Sequence, residues 1–197
     1  MDPTFVLVVL IALTASVALN FLLTLRLAAI VGAREYERLP ATLPSGTPLP
    51  TFRVRPLSGG APVSSGSLRG TSTVLAFLSP GCGECHARRE ELIRMYPAMR
   101  EAGVGLWIFV NARPPQARDY LRDTPLLAHA MRIDKASARR LNPRTSAPFY
   151  LFVDAEGTVI ASDFIGDADW ASFRAQMDEV ADETAAAAER ATDAGAA

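Results

Sequence analysis

The sequence predicts a single α/β domain carried behind one N-terminal membrane-spanning helix. Three features point there. From Phe5 to Leu25 the chain carries no charge, and 21 residues at about 1.5 Å rise span about 30 Å, the thickness of a bilayer's hydrocarbon core. Beyond it, continuous apolar runs of strand length, Thr73–Ser79 and Val104–Val110, alternate with stretches of helical periodicity. That is the pattern of strands covered on both faces by helices. Setting the apolar N-terminus aside, about 150 of the 197 residues remain, enough for one domain with its own core.

Composition narrows the function classes. With 49% hydrophobic and 21% charged residues, the chain is too apolar to stay disordered. Twenty basic residues, all arginine except Lys135, nearly balance 21 acids, so no single-sign field exists to hold nucleic acid. The two cysteines, Cys82 and Cys85, exclude a disulfide-stapled mini-domain and any four-cysteine zinc or iron–sulfur site within one chain.

The elements follow in order. Residues 1–33 read as an uncleaved anchor with its helix over about 5–30, contacting lipid. Thr14, Ser16, Asn20 and Thr24 are uncharged, hydroxyls can bond back to the helix, and Arg26 can snorkel. A cleaved signal would have a cationic start and a shorter apolar stretch. Residues 34–50, with four prolines between Pro40 and Pro50, read as an extended linker. The domain is expected over 51–180. It opens with a β-hairpin turning at Ser58-Gly59-Gly60. A central strand over Thr73–Ser79 follows, then a helix with Ala87, Leu92, Met95 and Met99 on its apolar face, kinked at Pro97 and closed by Gly103. Next come the strand Val104–Val110, a helix started by Pro114-Pro115, a short helix over Ala136–Leu141, and a hairpin of Phe149–Val153 with Val159–Phe164. A last amphipathic helix uses Trp170, Phe173 and Met177, and residues 181–197 form an Ala-rich flexible tail. Trp107, Phe109 and Phe149 read as core, and Arg88 and Arg89 as a solvated helix face.

The chemistry lies in SPGCGECH. A Cys-x-x-Cys where a buried strand gives way to a helix puts Cys82 at the helix N-terminus, where free amides and the helix dipole stabilise a thiolate. Cys82 is then the nucleophile. Cys85, one turn on, can attack a mixed disulfide on Cys82 and release the partner, leaving a redox disulfide. Three other readings compete. Cys82, Cys85, His86 and His129 are the only soft metal ligands, but adjacent Cys85 and His86 have difficulty facing one tetrahedral ion, so no metal is assigned. Cys82 to His86 satisfies Cys-x-x-Cys-His, the attachment signature of c-type haem, although a haem site wants a helical pocket. A peroxidase of the peroxiredoxin type would want Pro and Thr or Ser seven and three residues before the reactive cysteine; Ser79 fits and Leu75 does not. Neither cofactor nor metal is otherwise called for.

TVLAFLSPGCGEC followed by a helix, then TSAPFYLFVDAEGTVIASDFIG, resembles the thioredoxin fold, a central mixed sheet flanked by helices. The resemblance puts Pro148, after Ala147, where thioredoxins carry a cis-proline loop facing the active site, a place an ordinary strand-initiating trans proline would also fill, and marks Ser79, Pro80, Gly83 and Glu84 as the frame of the cysteine pair. The anchor, the Pro-rich stalk, the early hairpin and FLSPGCGEC are most similar to membrane-anchored TlpA/ResA-type thiol-disulfide oxidoreductases, above all the methylamine utilisation proteins of the MauD type. That likeness implies a redox domain outside the cytoplasm, protein thiol or disulfide substrates such as a maturing partner (for MauD, the small subunit of methylamine dehydrogenase), and a membrane electron donor. A non-catalytic thioredoxin-like binding module would use the same surface without turnover. The chain departs from the pattern at Gly83-Glu84, which lacks proline, at Ala76, where thioredoxins carry a buried Asp, and in its helix proline, displaced to Pro97.

Two arguments bear on direction and side. Glu84 between the cysteines opposes a second negative charge and so favours a more reducing pair, unless it points to solvent and is screened. Arg34 and Arg38 after the apolar run favour a cytoplasmic domain by the positive-inside rule. Glu35 and Glu37 accompany them and long domains translocate despite flanking charge, so this signal is weak, and the extracytoplasmic side that the resemblance implies is the expectation.

Overall fold

The computed structural model describes residues 2–38 and 41–195. The chain forms two compact units, residues 1–40 and 41–197. The first is one helix, α1 (Pro3–Arg38). Its stretch Pro3–Ala28 is long and apolar enough to cross a membrane and is wholly unburied by protein, consistent with an anchor or a signal sequence. Thr14 donates its hydroxyl to the Leu10 carbonyl at 2.7 Å and Thr24 to that of Asn20 at 2.8 Å, so these hydroxyls are satisfied within the helix.

The second unit is an α/β fold built on one mixed sheet. Its strands are β1 (Thr47–Pro48), β2 (Arg53–Pro56), β3 (Val63–Ser64), β4 (Thr73–Leu78), β5 (Gly105–Val110), β6 (Ala130–Ile133), β7 (Phe149–Val153) and β8 (Thr158–Phe164). They make one mixed sheet in the order β1-β8-β7-β4-β5-β6-β2-β3, with β4, β5 and β6 parallel and the other pairs antiparallel. The helices are α2 (Gly83–Glu101), α3 (Pro114–Tyr120), α4 (Lys135–Leu141) and α5 (Ala168–Gly195). Central β4 is buried along its whole length. Val74, Ala76 and Leu78 pack in one layer with Leu92, Met95 and Met99 of α2 and Trp170 and Met177 of α5. Leu75 and Phe77 face the other layer with Trp107, Phe109, Phe149 and Leu141. Each fully buried aliphatic here contributes about 1.5–3 kcal/mol, so the sheet's centre is a rigid platform for the loops at its carboxyl edge.

Several boundaries differ from the expectation. The stretch expected as linker, 34–50, is partly structured: α1 runs to Arg38, residues 39–40 lie outside the described ones, and β1 pairs with β8, Thr47 opposite Val159 and Pro48 opposite Thr158. Pro48 fits because an edge strand has one unpaired side. The Leu43 amide donates to the Ser162 hydroxyl at 2.9 Å, which donates back to the Leu43 carbonyl at 2.8 Å. The expected hairpin is present as β2–β3. The expected flexible tail from residue 181 is helical instead, α5 continuing to Gly195, in keeping with alanine's leading helix propensity. Helix α2 passes through Pro97 without ending.

Candidate active site

Cys82 is the N-cap of α2, in extended conformation (φ −109°, ψ 118°), and its Sγ accepts the Cys85 amide at 3.3 Å. The local sequence dictates this. β4 ends at Leu78, and the Cys82 amide donates to the Ser79 carbonyl at 3.2 Å, so Ser79-Pro80-Gly81 form a tight turn that delivers Cys82 to the helix start. There the first-turn amides lack helix partners and favour negative charge. A Cβ added at Gly81 or Gly83 would meet nothing within 4 Å, which leaves the approach to Cys82 open. Cys82 is half-buried, Cys85 wholly buried, and both are free thiols. Burial, reinforced by the hydrogen bond with Cys82, pushes the Cys85 thiol up from 9.0 to about 12.

The second wall is the loop before β7. The Ala147–Pro148 peptide is cis, and the Cys82 thiol lies 3.7 Å from the Ala147 carbonyl, which accepts its weak hydrogen bond. Asn142, 2% exposed, grips this loop reciprocally: its Nδ2 donates to the Ser146 carbonyl at 2.7 Å and its Oδ1 accepts the Ser146 amide at 2.9 Å. The Ile165 amide donates to the Pro148 carbonyl at 3.2 Å, so the loop after β8 braces it from the other side. Of the expected residues, Ala147 is brought to the Cys82 thiol, with Pro148 next to it, Ser79 and Pro80 in the turn before Cys82, and Gly83, Glu84 and Cys85 in the first turn of α2. Sequence reasoning missed Asn142, which carries no signal in a polar NPRTS loop.

Two further expectations are resolved by geometry. Glu84 is not simply solvated: its carboxylate pairs with Arg88 at 2.9 Å, and Arg88 pairs with buried Glu91 at 2.7 Å. The reading of Arg88 and Arg89 as a solvated face is thereby corrected, because Arg89 also reaches inward, donating to the Tyr120 carbonyl at 2.6 Å. His86, which completes Cys-x-x-Cys-His, donates from Nε2 to the Pro80 carbonyl at 2.9 Å and lies edge-on to Tyr120 at 5.1 Å. Among the described residues no group of three or more His, Cys, Asp or Glu could hold a metal ion.

No family model and no curated protein matches the chain. Solved structures do. A thiol:disulfide interchange protein of the thioredoxin family from Chlorobium tepidum TLS superposes with TM-score 0.57 at 21% identity, covering 71% of this chain and 99% of that one. A thiol:disulfide interchange protein from Bacteroides sp. gives TM-score 0.57 at 18% identity, covering 69% and 91%. The thioredoxin domain of a thiol-disulfide oxidoreductase from Bacteroides vulgatus gives 0.57 at 18% identity, covering 69% and 99%. At such identities the likeness is one of fold, and the domain's fold is thioredoxin-like.

Proposed function

We propose that the protein is a membrane-tethered thiol-disulfide oxidoreductase working on protein substrates through Cys82 and Cys85. The observation that carries this reading is the asymmetry of the pair: Cys82 caps α2 and is half-exposed beside the Ala147 carbonyl, whereas Cys85 is buried one turn below, its thiol pushed up to about 12. In the reducing direction the Cys82 thiolate attacks a partner disulfide, forming a mixed disulfide. The partner's released thiolate takes up a proton. Cys85 then loses its proton, attacks Cys82 Sγ and expels the second partner sulfur as a thiol. Two electrons pass to the partner and the Cys82–Cys85 disulfide remains. A membrane electron donor would restore the dithiol, and run backwards the same steps deliver a disulfide.

Half-buried Ala147, whose carbonyl faces the Cys82 thiol, gives a partner peptide a backbone contact beside the nucleophile, while Pro148 behind it is buried. The apolar helix Pro3–Ala28 supports tethering, and persistent disulfides outside the cytoplasm support an extracytoplasmic redox domain. A TlpA/ResA-type enzyme, closest in kind to the MauD proteins and acting in maturation of one partner, is the finer reading.

The test is trapping. Cys85→Ser should accumulate reductant-sensitive mixed disulfides with its partner, and Cys82→Ser should not. Equal trapping by both variants, or by neither, would remove the assignment. A membrane-impermeant maleimide applied to intact spheroplasts after mild reduction should label Cys82; labelling only after lysis would place the domain inside.

A further inference from the structure

We infer that Arg88 is a positioning residue for the redox pair: it pins the carboxylate of Glu84, between the two cysteines, offsets its charge, and so sets how readily the disulfide is reduced. This deepens the redox reading and rests on it.

An exposed ion pair held at one end alone contributes little. Arg88 is held elsewhere. One terminal nitrogen, Nη2, takes Glu84 at 2.9 Å, while the other, Nη1, takes Glu91 at 2.7 Å. Glu91 is 6% exposed and is itself fixed, accepting from Trp170 Nε1 of α5 at 3.1 Å, with Arg174 at 3.7 Å. Loss of Arg88 would leave the buried Glu91 carboxylate with Trp170 and only the looser, half-exposed Arg174. The Arg88 guanidinium also sits close against Gly166 in the loop between β8 and α5. A Cβ at Gly166 would stand 2.6 Å from Nη2 and 2.9 Å from Cζ, so only glycine leaves the space. Arg88 Nε is buried without a partner, a cost accepted to hold the group there. Glu84, 58% exposed at its side chain, is the mobile member, and it is anchored by a cation that is already immobile.

The consequence for the sulfurs has a definite sign. Reduction of the disulfide takes two electrons and two protons to give two thiols, or one proton when one sulfur stays a thiolate. A negative charge beside the pair raises the free energy of the thiolate form alone, since the disulfide is neutral. Glu84 precedes Cys85 in the first turn of α2, and its charge is the smallest of the influences that raise the Cys85 thiol. By holding Glu84 and opposing its charge, Arg88 favours the reduced form. Its loss makes the pair more reducing.

The test uses the full-length protein in detergent micelles equilibrated with glutathione buffers, with the rate of Cys82 alkylation as a second readout. Arg88→Gln should lower the equilibrium constant for reduction about threefold, equivalent to about 14 mV more negative at 29.6 mV per tenfold, and slow alkylation by about the same factor. Glu84→Gln should shift both readouts the other way. In the Glu84→Gln background the Arg88→Gln effect should fall to less than half, because Arg88 acts through Glu84. An unmoved potential in folded Arg88→Gln, or an equal shift in both backgrounds, would overturn the inference. If Arg88→Gln fails to fold because Glu91 loses its closest cation, Arg88→Gln/Glu91→Gln removes the buried carboxylate with that cation and keeps an acceptor for Trp170; the same outcomes then decide. A wild-type protein without any two-electron couple would instead overturn the redox reading itself.

Discussion

Tyr120, the last residue of α3, donates its hydroxyl to the main-chain carbonyl of Cys85 at 2.7 Å. The bond is buried, and the same ring carries His86 edge-on at 5.1 Å and the Arg89 guanidinium 4.9 Å above its centroid. One side chain thus props the first turn of α2 from below. Burial raises the Tyr120 phenol above its ordinary value, so it stays a donor.

Removing that prop isolates its contribution. Tyr120→Phe keeps the packing and deletes one buried hydrogen bond, an expected loss of about 1 kcal/mol. For a domain of this size that is about 2–4 °C in Tm. Calorimetry of the reduced protein checks it; an unchanged Tm would show that the bond to Cys85 contributes no net stability.

Alkaline titration reads the buried thiol. With Cys85 moved from 9.0 to about 12, the fold keeps the proton that the unfolded chain begins to lose near 9.0. Its contribution is complete below 9.0 and is lost as pH rises through that window. Tyr120 and Tyr150, both raised from 10.0, act in the same direction slightly higher. Urea midpoints of the reduced protein should fall above pH 9.0, and Cys85→Ala should lose stability less steeply than wild type. Parallel curves would contradict the burial of the Cys85 thiol.

At the acid end the group to watch is His129. Burial lowers it below 6.5, a backbone hydrogen bond with Leu106 opposing in part, and its Nε2 lies 2.7 Å from the Tyr96 hydroxyl. As pH falls past 6.5 the unfolded chain binds the proton first, so stability present above that value is lost towards lower pH. His129→Gln should flatten the stability profile between about pH 7 and pH 5. A profile as steep as wild type would assign the acid sensitivity to other groups.

How much of this was legible in the sequence follows from range. The cysteine pair was legible because strand, cap and helix lie within one short segment, and burial of β4 was legible because its run is continuously apolar. Pro148 followed from order in the fold. Arg88 was not legible: among HARREE it looks like any solvated arginine, and both Trp170, which holds its partner Glu91, and Gly166, which makes room for it, lie far along the chain. Strand β6 (Ala130–Ile133) is four residues long with an arginine in it, too short for periodicity to declare. Strand β1 hid among prolines because its pairing partner, not its own composition, makes it a strand.

The clasp between Leu43 and Ser162 has a kinetic side. It joins residues 119 apart in sequence, so strands β1 to β7 and helices α2 to α4 are closed inside that loop, while α5 packs on from beyond it. Ser162 leaves the ribosome long after Leu43, and closing so large a loop yields only two hydrogen bonds, which makes this edge unfavourable until β7 and β8 are already in register. The N-terminal edge is therefore expected to dock only after β7 and β8 have paired. A domain truncated at residue 51 would keep its sulfur chemistry and its core but bare the β8 edge, trading a docked selvage for a sticky one.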